Sequence, residues 1–168
     1  MSTKIAVISD SHVGQRISAY PRQILDVLRG ADIVVHAGDH TNHESLEAIR
    51  NLGDLKAVRG NMDEVAVCSE LPNKLLFEVD GILIGVTHGS GAPLGLEKRV
   101  LDEFSVDDPK PDIIIFGHSH RPGDDVHRGI RMLNPGSLSG NLFNNKGSYG
   151  ILTIDNGSVA WKIFEIEV

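Results

Sequence analysis

A single cysteine, Cys68, occurs in 168 residues, so no disulfide can form within the chain and a structural zinc site built on thiolates is excluded. Such sparing use of cysteine fits a reducing compartment. Cationic side chains are also in deficit: 16 Lys and Arg face 23 Asp and Glu, a formal net charge of −7. That balance argues against a surface that displaces counterions from a long nucleic acid. It does not exclude a small phosphorylated substrate, because bound cations can reverse the field of the acidic residues around them. No apolar run approaches the roughly eighteen residues of a membrane span. Met1 leads at once into Lys4-Ile5-Ala6-Val7-Ile8, without the long apolar region and cleavage site of a signal peptide. The expectation is a cytoplasmic protein with no membrane partner. Prolines number 7 against 18 glycines, which points to tight loops, and no linker, repeat or low-complexity tract interrupts the chain. With 40% hydrophobic residues and the length of one typical domain, residues 1–168 read as a single unit around one core.

The apolar run Lys4 to Ser9 ends at Asp10-Ser11-His12 and Gly14, as a buried strand emptying into a loop does. Arg22 to Leu28 carries Ile24, Leu25, Val27 and Leu28 at helical spacing, with Pro21 placed for a first turn and Gly30 as its stop. The pattern then repeats: a strand at Asp32 to His36 ending in Gly38-Asp39, a helix over Glu44 to Leu52, and a strand at Leu55 to Arg59 ending in Gly60-Asn61. Strand, helix, strand, helix implies a parallel sheet. Leu75 to Val79 and Ile82 to Thr87 flank Asp80-Gly81, a two-residue hairpin signal that brings in antiparallel strands. A helix over Leu94 to Phe104 precedes the β-branched run Asp112 to Phe116, which stops at Gly117-His118-Ser119-His120. Further hairpins are expected at Arg128-Gly129 and at Asp155-Asn156-Gly157, the latter between strands Tyr149 to Ile154 and Val159 to Ile166.

Five of these strand ends finish in potential metal ligands: Asp10 with His12, Asp39, Asn61, His88, and His118 with His120. In an open parallel sheet the loops after the strand carboxyl ends gather along one edge, so residues distant in sequence can converge there. Asp10-x-His12 and His118-x-His120 have spacing two, which in extended backbone sends both side chains to one side. Gly38, Gly60 and Gly117 precede ligands at sharp strand exits, where positive φ or close approach calls for glycine. Each residue alone is ordinary turn or loop chemistry. Seven of them at five strand ends are better explained by one metal site than by repeated coincidence. The remaining histidines lack that support: His36 reads as part of a buried strand, while His40, His43 and His127 read as loop, helix-start and hairpin residues. His40 directly follows Asp39, so a place at the rim of a substrate pocket is left open for it. Cys68 reads as packing.

The series Asp10-x-His12, Gly38-Asp39, Gly60-Asn61, His88-Gly89 and Gly117-His118-Ser119-His120 resembles the calcineurin-like metallophosphoesterases over nearly the whole chain. The short length and the Asn134-Pro135-Gly136-Ser137 turn are most similar to the small prokaryotic phosphodiesterase branch. The resemblance implies an α/β fold of two mixed parallel and antiparallel sheets in a sandwich flanked by helices. It also implies that Asp10, His12, Asp39 and His120 surround one ion and that Asp39, Asn61, His88 and His118 surround a second, with Asp39 bridging. Oxygen and imidazole donors suit manganese first, with nickel, iron or zinc as alternatives, better than a calcium cage. Two such ions, about 3.5–4 Å apart, would hold a phosphate ester and a bridging hydroxide. Two dications offset by two aspartates, a hydroxide and a phosphodiester sum to near neutrality, which ranks diesters above monoesters. A small phosphorylated substrate, such as a nucleotide or cyclic nucleotide, is the implied partner, and self-association is left open.

Many relatives have a histidine after the Gly-Asn pair, whereas this chain has Gly60-Asn61-Met62-Asp63. A thioether cannot donate a proton, so a general-acid contribution of about 10²–10⁴-fold is in question. Two other readings compete. The retromer scaffold subunit has a similar fold and works through protein contacts, so a non-catalytic metal-binding scaffold is the principal alternative. A serine hydrolase would use Ser90 in His88-Gly89-Ser90-Gly91, but that segment lacks the Gly-x-Ser-x-Gly spacing.

Overall fold

The computed structural model describes residues 1–140 and 145–168. Among the described residues ten strands form two five-stranded sheets. The first has the order β10-β9-β1-β2-β3, from β1 (Thr3–Ile8), β2 (Ile33–His36), β3 (Asp54–Ala57), β9 (Lys146–Asp155) and β10 (Ser158–Glu167). The second has the order β4-β5-β6-β8-β7, from β4 (Lys74–Val79), β5 (Ile82–Thr87), β6 (Ile113–Ile115), β7 (Pro122–His127) and β8 (Ile130–Pro135). β1, β2 and β3 run parallel, as do β5, β6 and β8, while β9, β10, β4 and β7 pair antiparallel at the flanks. The mixed two-sheet architecture expected from the resemblance is the one observed.

Side-chain alternation explains the layering. Ile5 and Val7 of β1 join Val35, Ile84, Val86, Ile115 and Leu133 in the core between the sheets. Ala6 and Ile8, one residue out of phase, pack outward against Ile24 and Leu28 of α1 (Arg22–Arg29) and Ile49 of α2 (His43–Arg50). Both faces of β1 are therefore buried, which is why its sequence is an unbroken apolar run. On the far side, Leu96, Val100 and Phe104 cover Ile114 and Met132, with the first two of them from α4 (Leu96–Glu103). Each fully buried Leu or Ile of these layers contributes about 1.5–3 kcal/mol relative to exposure.

The expected hairpins all form. Asp80-Gly81, Arg128-Gly129 and Asn156-Gly157 each put two consecutive residues at positive φ, the backbone that matches the twist of the paired strands. Helix ends shift by a residue or two. Pro21 lies just before α1 rather than in its first turn, α2 begins at His43 because the Asn42 side chain accepts the Ser45 N–H at 2.8 Å, and α4 waits until Gly95 has turned through φ 75°. A helix absent from the sequence reading, α3 (Val65–Glu70), follows the loop bearing Asn61. Only Val67 of it is buried, so it leaves no periodic apolar signature. No helix among the described residues is long and apolar enough to cross a membrane.

Candidate metal centre

The parallel strands deliver their carboxyl ends to a common edge. Asp10 and His12 follow β1, Asp39 follows β2, Asn61 follows β3, His88 follows β5, and His118 and His120 follow β6. All seven sequence-derived residues converge there, the loops after both sheets contributing. Asp10 is fully buried, and Asp39, His12 and His88 are 2% exposed.

Convergence is achieved by a different backbone from the one the spacing suggests. Asp10, His12, Asp39, His118 and His120 have φ of 52°, 44°, 60°, 68° and 58°, so both D-x-H and H-x-H fragments turn through left-handed conformations and are not extended. Non-glycine residues adopt this region rarely, and five here share one site. Of the three glycines expected for positive φ or close approach, Gly38 has positive φ, at 95°. Gly60 instead provides space: a Cβ there would stand 2.1 Å from Asp39 Oδ1.

The carboxylate of Asp10 is fixed along one edge. Its Oδ2 accepts from Ser9 Oγ at 2.6 Å and from the His118 N–H at 3.1 Å, and its carbonyl accepts from the hydroxyls of Ser137 and Ser139, each at 3.0 Å. Its Oδ1 accepts no hydrogen bond and faces the Nε2 atoms of His120 at 3.1 Å, His12 at 3.9 Å and His88 at 3.9 Å. Asp39 is arranged similarly. Oδ1 accepts the Met62 N–H at 2.8 Å, and Oδ2 faces His88 Nε2 at 3.3 Å and His12 Nε2 at 3.6 Å. On the other side Asn61 Oδ1 lies 3.0 Å from both His88 Nε2 and His118 Nδ1. Asp39 thus stands between an Asp10, His12, His120 group and an Asn61, His88, His118 group.

Two backbone carbonyls orient the rings. Ala37 O lies 2.7 Å from His88 Nδ1 and Gly91 O lies 2.7 Å from His118 Nε2. A carbonyl only accepts, so these nitrogens carry the protons and the opposite ring nitrogens aim lone pairs at the site. In neutral His88, Nε2 would then face Asn61 Oδ1 and Asp39 Oδ2, acceptor against acceptor. Only a proton or a cation resolves that conflict. Without a cation a proton is held: burial opposes the charge, but the Asp39 hydrogen bond, the Asp10 and Asp39 charges and the Ala37 carbonyl together raise the His88 pKa to about 9. Burial likewise opposes ionisation of Asp39, and His88, the Met62 N–H and His12 outweigh it, lowering its pKa to about 2. His12 is driven the other way, chiefly by burial, and keeps a neutral ring with neither nitrogen hydrogen-bonded.

These residues fit divalent metal. Buried carboxylate oxygens and imidazole lone pairs meet with no Lys or Arg ion pair to neutralise them among the described residues, and Asp10 Oδ1 and His12 Nε2 are orphaned. Ligands each about 2.1 Å from one ion stand about 3.0–3.4 Å apart, close to the separations found here. A third acid-rich cluster, His43, Glu47 and Glu70, is exposed on α2 and α3 and already engages the Arg50 guanidinium.

Other residues fall where expected or not. His36 ends β2 fully buried, His43 opens α2, and exposed His127 ends β7. His40 is not at a pocket rim: it is fully buried, stacked 3.6 Å from His36 between ring centroids, with Nε2 donating to Val58 O. Ser90 is exposed and its hydroxyl has no base beside it among the described residues, since both His88 nitrogens are engaged. Sequence reasoning missed the supporting groups. Ser9, Ser137 and Ser139 fix Asp10, and Asp63 accepts from the Thr41 and Gly60 N–H groups, tying the β2 and β3 loops together. Serines carry no such signal, but an acid two residues after Asn61 could have been read as a loop anchor.

Residues 3–157 match the model of the calcineurin-like phosphoesterase superfamily domain. The chain belongs to that superfamily. It is 39% identical over 137 residues to a probable metallophosphoesterase of Methanocaldococcus jannaschii, covering 79% of this chain and 67% of the relative. A Thermotoga maritima protein solved by NMR superposes with a TM-score of 0.77 at 36% identity, over 98% of this chain and 99% of that one. Vps29 from Entamoeba histolytica, solved in complex with Zn2+, superposes with a TM-score of 0.76 at 25% identity, over 98% and 99% of the two chains.

Proposed function

We propose that this chain is a single-domain phosphodiesterase with a binuclear metal centre, in which Asp10, His12, Asp39 and His120 hold one ion and Asp39, Asn61, His88 and His118 the other. The observation that carries the reading is the convergence of carboxylate, amide and imidazole donors on either side of Asp39, with buried Asp10 Oδ1 and His12 Nε2 lacking any hydrogen-bond partner among the described residues. Membership in a phosphoesterase superfamily supplies the reaction class. Divalent ions, manganese foremost, supply Lewis acidity toward a phosphoryl oxygen and acidify water for attack. The chain's own part is to hold and orient. Ala37 O and Gly91 O set the rings of His88 and His118, Ser9 holds the Asp10 carboxylate, and Ser137 and Ser139 hold the Asp10 backbone carbonyl. Arg16, whose Nη1 is 3.4 Å from His120 Nδ1, adds positive charge at the rim for a phosphate. Met62 has no proton to give a departing oxygen, and buried His40 cannot reach one. Substrates with good leaving groups are therefore favoured, and near-neutral charge in the loaded site ranks diesters first. A small phosphorylated metabolite in the cytoplasm fits this design.

Likeness to the zinc complex of Vps29 supports a second reading, a metal-binding protein scaffold. One experiment separates them. Hydrolysis of bis(p-nitrophenyl) phosphate should appear with added Mn2+, vanish with chelator and return on re-addition. Stoichiometric Mn2+ binding with no turnover would favour the scaffold, and equal turnover after metal removal would refute the metal mechanism.

A further inference from the structure

Beside Asn61 and His88 opens a cleft of about 430 Å³ whose lining also includes Arg59, Asn73, Thr87 and Glu103. Apart from the His88 imidazole it holds no aromatic ring and no purely aliphatic side chain, so a nucleobase or aryl group would find little stacking surface. Two charges in it are uncompensated. Half-buried Arg59 spends Nε on Asn73 Oδ1 at 2.6 Å and Nη1 on Cys68 O at 2.9 Å, both neutral acceptors, which leaves the Nη2 donors free. Half-buried Glu103 accepts only the Thr87 hydroxyl, on Oε2 at 2.5 Å, which leaves Oε1 free. Lys74, by contrast, is satisfied by Asp107 and the Glu103 carbonyl. Among the described residues neither Arg59 nor Glu103 has an oppositely charged partner within ion-pair distance. Both groups therefore bring unused hydrogen-bonding capacity to the cleft, which a ligand can complete.

We propose that this cleft is the subsite for one ester arm of the substrate, with Arg59 donating to a non-bridging phosphate oxygen and Glu103 accepting from hydroxyl groups, so that the preferred substrates are diesters of small polyhydroxy alcohols such as glycerol or a sugar. The proposal rests on the phosphodiesterase reading above and deepens it. Arg59, two residues before Asn61 in the chain, offers its Nη2 donors for a phosphate oxygen, Glu103 offers Oε1 as an acceptor for a hydroxyl, and the volume suits an arm of that size.

The test uses Mn2+-loaded protein and two diesters with the same leaving group, p-nitrophenyl glyceryl phosphate and p-nitrophenyl propyl phosphate, which differ by two hydroxyls. Wild type should favour the glyceryl diester in kcat/KM by at least about tenfold, the scale of hydrogen bonds to a charged group. Glu103→Gln, which keeps an acceptor for Thr87, should bring that ratio toward unity. Arg59→Gln should raise KM for both diesters by about tenfold, more than it lowers kcat. A wild-type ratio near unity, a higher rate for a nucleoside diester, or an unchanged KM in Arg59→Gln overturns the proposal. Calorimetric titration with glycerol 3-phosphate against propyl phosphate reads binding without turnover. Equal affinities overturn the subsite whether or not diesters are cleaved, whereas a retained preference without hydrolysis upholds the subsite and sinks only the catalytic reading.

Discussion

Gly60→Ala is the substitution whose consequence the geometry fixes most tightly. The added methyl would stand 2.1 Å from Asp39 Oδ1 and 2.3 Å from Asp39 N. Ordinary carbon contacts begin near 3.5 Å, so the carboxylate must retreat by about 1 Å or more. It has nowhere unstrained to go, since Oδ1 is held by the Met62 N–H and Oδ2 faces His88 and His12. Metal–ligand distances tolerate only about 0.2 Å, so both halves of the centre should lose a ligand at once. Overpacking of this kind costs about 1–3 kcal/mol, which for a chain of this length lowers Tm by roughly 2–12 °C and leaves the protein folded at room temperature. Metal affinity, measured by calorimetry with Mn2+, should fall at least about tenfold, as for loss of an outer partner to a ligand. Gly123→Ala is the control, because its methyl would meet nothing closer than Asp125 Oδ2 at 4.0 Å. Wild-type Mn2+ affinity in Gly60→Ala would refute the placement of Asp39 between two ions.

Asp39→Asn should deplete metal at both positions, and His120→Ala mainly the one shared with Asp10 and His12; elemental analysis that finds both variants equally depleted would contradict the grouping. Rates on a series of diesters should fall steeply as the leaving alcohol becomes more basic, since Met62 offers no proton. A shallow slope with chemistry rate-limiting would mean another residue protonates the leaving oxygen. Burial first, with His40, His88 and His12 adding to it, holds the His36 pKa well below 6.5. The unfolded chain therefore binds a proton below about pH 6.5 that the folded chain refuses, so this contribution to stability is complete above that pH and lost as pH falls, by up to about 1.4 kcal/mol per unit. Metal-free wild type should lose stability relative to His36→Gln between pH 7.5 and pH 5 in urea titrations, and parallel curves would show that His36 is not held neutral.

The strands that lie inside the sandwich were legible because burial on both faces leaves a run such as Ile5-Ala6-Val7-Ile8 with no polar alternative, and the hairpins because Asp80-Gly81, Arg128-Gly129 and Asn156-Gly157 suit positive φ. Short α3 was not legible. Its six residues bury one side chain, and what holds it is the preceding loop, whose Glu64 N–H and Asp63 carboxylate bond to and from Thr41 across a gap in sequence that no local pattern records.

The metal residues were legible for a reason that differs from the backbone that assembles them. Spacing two suggested extended chain, yet Asp10 and His12, and His118 and His120, reach the site through left-handed turns. Residue identity alone does not announce that conformation, because even Asp and His, which are enriched among non-glycine residues there, adopt it only in a small minority of positions. It persists where neighbours over-determine it: Asp10 N–H bonds to Gly38 O, His12 N–H to Asp39 O, and His118 N–H to the Asp10 carboxylate. The β1, β2 and β6 loops therefore hold one another, and each bond that fixes a turn also aims a donor. His40 shows the limit of reading by adjacency. One residue past Asp39 the chain turns inward, and its ring stacks on His36 beneath the centre instead of opening toward a ligand. Position along a loop identifies what can reach a site, and the bonds between loops decide what does.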